Sequence, residues 1–304
     1  MQISTFSSFQ VGSYDMSNLQ SGIQSLQEQL DTQNSVNKPS DNPVASTQIL
    51  QLDASQGRTN QFVTNNQNAS AQLSLVDTTL GSASNLLSNL KSLTVEAGNG
   101  IMTTTQLQMI QQQVNQDYTQ LMSYANATNG NGEYLFGGNK VASPPFSADN
   151  SLTATYNGDS GQRMVQITDS SSVPVTQAGS QVFGNATSPT ALFDSMQQLS
   201  QLLGQSPKPS TFTTQLSSIM DSLDTAQTKI MTTQAAVGAA EVENNDIQTS
   251  NTQLSTQYQT AVDNLQSLNM PQAISNFTME QTSLQYTQQV YAKVTALSLF
   301  NYLQ

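Results

Sequence analysis

The chain has 304 residues, with 8 Lys and Arg against 20 Asp and Glu and no His, Cys or Trp, so its formal net charge is -12. That excludes His-dependent triads, thiolate nucleophiles and ordinary zinc sites, leaves no metal or cofactor expected, and is the wrong sign for neutralising nucleic-acid phosphates. Charged residues are only 9% and apolar residues 36%, while Gln, Ser, Thr and Asn fill close to half of the chain, so an elongated fold of neutral polarity is expected rather than a thick-cored globule.

The amino terminus, Met1-Gln-Ile-Ser-Thr-Phe-Ser-Ser-Phe9, lacks a basic region and a continuous apolar run. Nowhere is there a run of about 18 apolar residues, so neither a Sec signal peptide nor a membrane span is expected. Met16, Leu19, Ile23, Leu26 and Leu30 recur at spacings of 3 and 4, which predicts an amphipathic first helix. Asn37-Lys-Pro-Ser-Asp-Asn-Pro43 then breaks it. The same alternation returns at Leu73, Val76, Leu80, Ala83, Leu87 and Leu90, and again, with one polar gap, at Leu107, Ile110, Val114, Leu121 and Tyr124. Between these blocks Ala97-Gly-Asn-Gly100 ends one helix, because Gly is costly in a helix interior, and Thr103-Thr-Thr105 offers N-caps for the next.

After Thr128-Asn-Gly-Asn-Gly132 the sequence changes in kind. Glu133-Tyr-Leu-Phe136 reads as a short strand stopped by Gly137-Gly138. Leu152-Thr-Ala-Thr-Tyr156 and Arg163-Met-Val-Gln-Ile167 flank Asn157-Gly158-Asp159 and predict a hairpin about that turn, with Val173-Pro-Val-Thr176 and Gln181-Val-Phe183 as further strands. Helix resumes at Ser188-Pro189, read as an N-cap followed by Pro at the first helical position. Gly204-Gln-Ser-Pro-Lys-Pro209 forms the next joint.

The longest signal follows. Ile219, Leu223, Ala226, Ile230, Thr233, Val237, Ala240, Asn244, Ile247, Asn251, Leu254, Tyr258, Ala261, Leu265 and Leu268 keep one heptad register. At about 1.5 Å rise per residue this is a rod of roughly 75 Å, whose partners are the two N-terminal blocks. Asn244 and Asn251 sit one heptad apart in the seam, where buried amides fix register at some cost in stability. Asn269-Met-Pro271 breaks the rod, and Ile274 and Phe277, then Val290, Val294 and Leu297, form a last amphipathic helix.

The fold class expected is therefore mainly α, an elongated helical bundle or coiled coil built from N- and C-terminal segments with a small inserted β domain. Residues 1–36 with 272–304 would be terminal coiled-coil helices, 37–132 with 187–271 a helical rod domain, and 133–186 the β domain. The candidate site is an assembly interface on the terminal helices, carried by Phe6, Leu19, Ile23, Leu26, Leu30, Phe277, Val290, Val294, Leu297 and Phe300. Such short apolar stripes are marginal alone, so both ends are expected to be disordered in the uncombined monomer and ordered on packing between copies. Glu241, Glu243 and Asp246 are read as a solvated helix face rather than a metal or catalytic cluster. The four Asn-X-Ser/Thr triplets are what chance supplies in this composition. No catalytic, cofactor or metal residues are assigned.

Ile3-Ser-Thr5, the Pro39-Ser-Asp-Asn-Pro43 element and the terminal heptads together resemble the flagellin superfamily. Within it, Asn129-Gly-Asn-Gly-Glu-Tyr-Leu-Phe-Gly-Gly138 and the closing Leu297-Ser-Leu-Phe-Asn-Tyr-Leu303 resemble the hook-filament junction proteins. The resemblance covers about the first 140 and last 110 residues. It departs at Asp31-Thr-Gln-Asn-Ser-Val-Asn-Lys38, where the family has a Ser-Thr-Gly-Lys-like stretch, and at Asn42, where Asp is frequent. It implies a structural, non-enzymatic adaptor of the bacterial flagellum, extracellular and exported through the flagellar type III apparatus without a cleaved signal. The partners implied are identical subunits in a ring, a neighbouring hook-associated protein, flagellin, and an export chaperone at the C-terminal helix, with no nucleic acid and no membrane insertion. Flagellin itself, a secreted coiled-coil adhesin and, least, a carboxylate-dependent glycosidase are the competing readings.

Overall fold

The computed structural model describes residues 2–300, with side chains described for residue 7 and residues 9–293. Its order is α1 (Gln2–Thr32), α2 (Pro43–Ala97), α3 (Thr104–Ala125), β1 (Phe146–Ala148), β2 (Ala154–Tyr156), β3 (Met164–Gln166), β4 (Ser172–Pro174), α4 (Gly179–Val182), α5 (Ala191–Leu203), α6 (Phe212–Gln266) and α7 (Met270–Phe300). The fold is mainly α with a small β region, as the periodicity predicts. The chain divides into two compact units, one of Met1–Arg58 with Leu254–Gln304, the other of Thr59–Gln253.

In the first unit α1 and α7 pack side by side in opposite directions. The Phe9 ring lies 5.1 Å from that of Tyr291, and near the other end of the pair Asn34 bridges Ser267. The breaker between α1 and α2 is a built turn. Asp41 Oδ2 accepts the backbone N–H groups of Asn37 (3.0 Å) and Lys38 (2.9 Å), and Asn42 Oδ1 accepts that of Ala45 (3.1 Å). Asn42 is thus the side-chain cap of α2 and Pro43 its first residue, where a missing N–H costs nothing. Lys38 closes the turn on Glu28 of α1. Among the described residues of this unit, Ala45, Ile49, Val262 and Ala273 are the buried apolar ones.

In the second unit most of the predicted seam positions are buried, with Tyr124, Thr233, Ala240 and Ile247 half-buried; further along α6 the single register does not hold, since Leu254 is exposed and Val262, outside the register, is buried. Leu73, Val76, Leu80, Ala83, Leu87 and Leu90 of α2 lie in one apolar core with Ile219, Leu223, Ala226, Ile230 and Val237 of α6. Thr103 caps α3 in a reciprocal capping box with Gln106. The polar gap in α3 is filled by Tyr118, which is buried edge-on to Phe193 at 5.5 Å. Burial, with Asp194 and Asp149 nearby, pushes its phenol up to about 12. Leu192, Phe193, Met196, Leu199 and Leu203 of α5 complete this core. The β region joins it through aromatic rings: Phe146 lies 5.6 Å from Phe183 and 5.1 Å from Phe193, and Phe136 lies 5.2 Å from Phe183. Each fully buried Phe contributes about 2–3 kcal/mol of apolar burial.

Four local expectations are corrected. The strands at 154–156 and 164–166 exist but do not pair with each other; β1 pairs β2 and β3 pairs β4, in two separate antiparallel hairpins. The hairpin turns lie elsewhere because side chains build them. Asp149 Oδ1 accepts the N–H groups of Ser151 and Thr153, with Leu152 at φ 59°, and Thr168 Oγ1 accepts that of Ser171. Asn157-Gly158-Asp159 serves instead as a tie, since Asp159 Oδ1 accepts the Asn139 and Gly161 N–H groups at 2.9 Å each. Glu133–Phe136 makes no ladder strand; Tyr134 within it and Gly137 just after it form single bridges, with Thr128 and Ala178. Gln181–Phe183 is no strand either but overlaps the one-turn helix α4. Helix α5 begins at Ala191, not Pro189, because Asn185 Oδ1 holds the Thr187 and Ser188 N–H groups in a turn first.

Candidate assembly surfaces

The expected interface residues fall into three groups. Leu19, Ile23, Leu26 and Leu30 are half-buried on the face of α1 that also carries Gly12 and Gly22, the two glycines that α7 approaches. Phe277 is half-buried on α7, in a stripe of Ala273, Phe277, Glu280, Leu284, Thr287 and Tyr291 spaced alternately by 4 and 3. Those five expected residues therefore belong to the faces that α1 and α7 turn toward each other within one chain. Val290 is different, being 60% exposed. The side chains of Phe6, Val294, Leu297 and Phe300 lie outside the described residues.

Val290 is not isolated. Met279 and Tyr286, at 59% and 65% exposure, stand eleven and four residues before it and so share its side of α7. This gives α7 two apolar faces, one against α1 and one open. On α1, Val11 and Tyr14 are open in the same way. Heptad reading missed Met279, Tyr286, Val11 and Tyr14 because it follows one stripe per helix; a helix with apolar residues on two sides signals two partners. In the second unit Val95 near the end of α2, Ile101 in the connection and Met109 in the second turn of α3 are also exposed.

Polar groups fix these helices. Asn66 of α2 meets both seam asparagines of α6: its Nδ2 donates to Asn244 Oδ1, Asn244 Nδ2 donates to the Asn66 carbonyl, and Asn251 Nδ2 donates to Asn66 Oδ1, each at 2.9 Å. Asn251 also donates to the Ile167 carbonyl at 2.9 Å, which ties the β3–β4 hairpin to the helix pair beside the Ala69, Ile167, Val173 and Val175 core. Asn66 and Asn244 are fully buried and Asn251 nearly so. The seam reading anticipated two of these amides; the third, Asn66, has no periodic signature because it is selected by its partners.

The other polar anchor is a two-toothed pair. Arg163 donates through Nη1 and Nη2 to Glu133 Oε1 and Oε2 at 2.6 and 2.8 Å, and Asn129 Nδ2 adds 2.7 Å to Oε2. Hydrogen bonds from Arg163 and Asn129 hold the Glu133 carboxyl down at about 2. Arg163 also reaches Gln72 of α2 at 3.3 Å. Glu241 is half-buried, and that burial with Asp77 nearby raises its carboxyl, whereas Glu243 and Asp246 are exposed. Among the described residues no group of three or more His, Cys, Asp and Glu is placed to hold a metal ion, and no helix is long and apolar enough to cross a membrane.

Residues 3–141 match the family model of the bacterial flagellin N-terminal helical region. Over 188 residues, 62% of this chain, it is 28% identical to flagellar hook-associated protein 3 of Salmonella typhimurium, and it spans 58% of that relative's length. The crystal structure of flagellar hook associated protein-3 from Legionella pneumophila superposes with TM-score 0.65 at 18% identity, covering 71% of this chain and 98% of that one. The flagellar junction protein FlgL from Legionella pneumophila gives 0.60 at 19% identity, covering 72% and 100%. At these identities the likeness to the solved structures is one of fold.

Proposed function

We propose, for a chain whose residues 3–141 carry the bacterial flagellin N-terminal helical region, that it is a structural adaptor at the hook-filament junction of the bacterial flagellum. It performs no chemistry and acts by assembly. Identical subunits form a ring, a neighbouring hook-associated protein lies on one side and flagellin on the other. Heterologous contacts around such a ring give its two rims different surfaces, which is what joining two unlike polymers requires. The protein is extracellular, reaches its place through the flagellar export apparatus, and is met before export by a chaperone at its C-terminal helix.

The observation that carries this reading is the pairing of chain ends. Helices from the first and last thirty or so residues lie together, and α7 keeps an open apolar face at Met279, Tyr286 and Val290. A face of that kind gains stability when a second helix covers it. The terminal helices, with Phe6, Leu19, Ile23, Leu26, Leu30, Phe277, Val290, Val294, Leu297 and Phe300, are the interface of this proposal.

Deletion of the gene in its host, followed by electron microscopy and assay of the medium, tests it. Hooks without filaments, with unpolymerised flagellin in the medium, are expected. Intact filaments in the deletion strain overturn the junction role.

A further inference from the structure

The middle of the α1–α7 contact holds one carboxylate oxygen that the contact leaves without a hydrogen bond. Glu280 occupies an inward position of α7 in the stripe from Ala273 to Tyr291, where every other residue is uncharged. Its carboxyl end lies on α1 at Gly22: a Cβ added to Gly22 would come 2.5 Å from Glu280 Oε2 and 3.2 Å from Cδ. That Oε2 is buried and has no hydrogen-bond partner. Around Gly22, α1 presents Leu19, Ile23 and Leu26 on one side and the exposed Asn18 and Ser25 on the other, and neither polar side chain is bonded to that oxygen. A carboxylate oxygen removed from water without a donor destabilises the contact that buries it, and an apolar residue of similar size would not.

We infer that Glu280 is a built-in weak point that keeps the intrachain α1–α7 pair easily opened. Gly22 belongs to the device, since only a residue without a side chain lets the carboxylate lie against the helix. Opening returns that oxygen to water and frees the apolar stripes of both helices for packing against other copies. This last link rests on the assembly reading above, whereas the weak point itself is a property of the single chain.

Hydrogen-deuterium exchange on the purified full-length chain tests it, comparing wild type with Glu280→Leu, Glu280→Gln and, as a control charge on α1, Asp15→Asn. Glu280→Leu is expected to slow exchange across residues 9–32 and 270–293 roughly tenfold, the scale of one relieved unsatisfied group. Glu280→Gln is expected to fall between it and wild type, with Asp15→Asn and residues 70–125 unchanged. Unchanged or faster exchange of α1 and α7 in both Glu280 variants overturns the inference. Incorporation of Glu280→Leu into flagella is the second readout. Slower exchange with reduced incorporation supports the link to assembly, and slower exchange with normal incorporation overturns that link alone.

Discussion

Asn66 shows how a single buried amide can organise three segments. Its carbonyl, its Oδ1 and its Nδ2 are all engaged with α6, and Asn251 passes the connection on to the β3–β4 hairpin. Removing one partner of such a node is costlier than removing all of them, because orphaned buried donors lose water without gaining a bond. Asn66→Ala is therefore expected to destabilise the chain by about 2–3 kcal/mol. Replacing Asn66, Asn244 and Asn251 together by Leu should recover most of that, and calorimetric melting of the two variants is the check. Glu133 offers a second test, in pH. Its folded carboxyl titrates near 2 against an ordinary 4.5. The group is depressed on folding, so its contribution is fully present above about 4.5 and is lost as pH falls toward 2. Melting temperatures of wild type and Glu133→Gln should differ most at neutral pH and converge between pH 4.5 and pH 2. A constant gap across that window would remove the Arg163 pair as its cause.

At the level of elements, the joints are built as carefully as the helices. The turn between α1 and α2 depends on two adjacent side chains with different tasks, Asp41 gathering the Asn37 and Lys38 N–H groups and Asn42 capping α2 at Ala45. An Asp at position 42 could do the same capping work, since either side chain offers one oxygen to the Ala45 N–H. Asn42→Ala is accordingly expected to cost about 1 kcal/mol and Asn42→Asp close to nothing, by thermal melts of the purified chain. Helix starts of this kind were legible in the sequence at Thr103, where capping chemistry is local, whereas Asn42 and Pro43 were read only as part of a breaker. A helix start was misplaced at Pro189, where Asn185 takes the N–H groups that a Ser188 cap was expected to leave free. The Asn157-Gly158-Asp159 signal was misread for a related reason. It marks only a bend: Asp159 Oδ1 takes the Asn139 and Gly161 N–H groups, and the flanking strands find other partners.

For the whole molecule, the division of labour between the chain ends and the stretch between them makes one sharp expectation. Removal of everything from Val294 onward should leave residues 59–253 folded, with the melting signal of the α2, α3, α5 and α6 core unchanged. Under the assembly proposal the same truncation abolishes incorporation into flagella, and normal motility after it would sink the role given to the C-terminal helix. What the sequence by itself determined was the helical frame: seams such as Leu73 to Leu90 and Ile219 to Val237 repeat at helical spacing, and burial of such a stripe is demanded whatever the partner. Tertiary structure alone decided who the partners are. The choice of Asn66 for Asn244 and Asn251 and the packing of Tyr118 on Phe193 in the α3 gap are set by residues far apart in the chain, while strand pairing and the open face of α7 at Met279, Tyr286 and Val290 are local features that only the folded contacts sort out. Periodicity records that a side chain must be covered. Three-dimensional packing decides what covers it, because hydrogen-bond geometry and close contact discriminate among partners that spacing treats as equal.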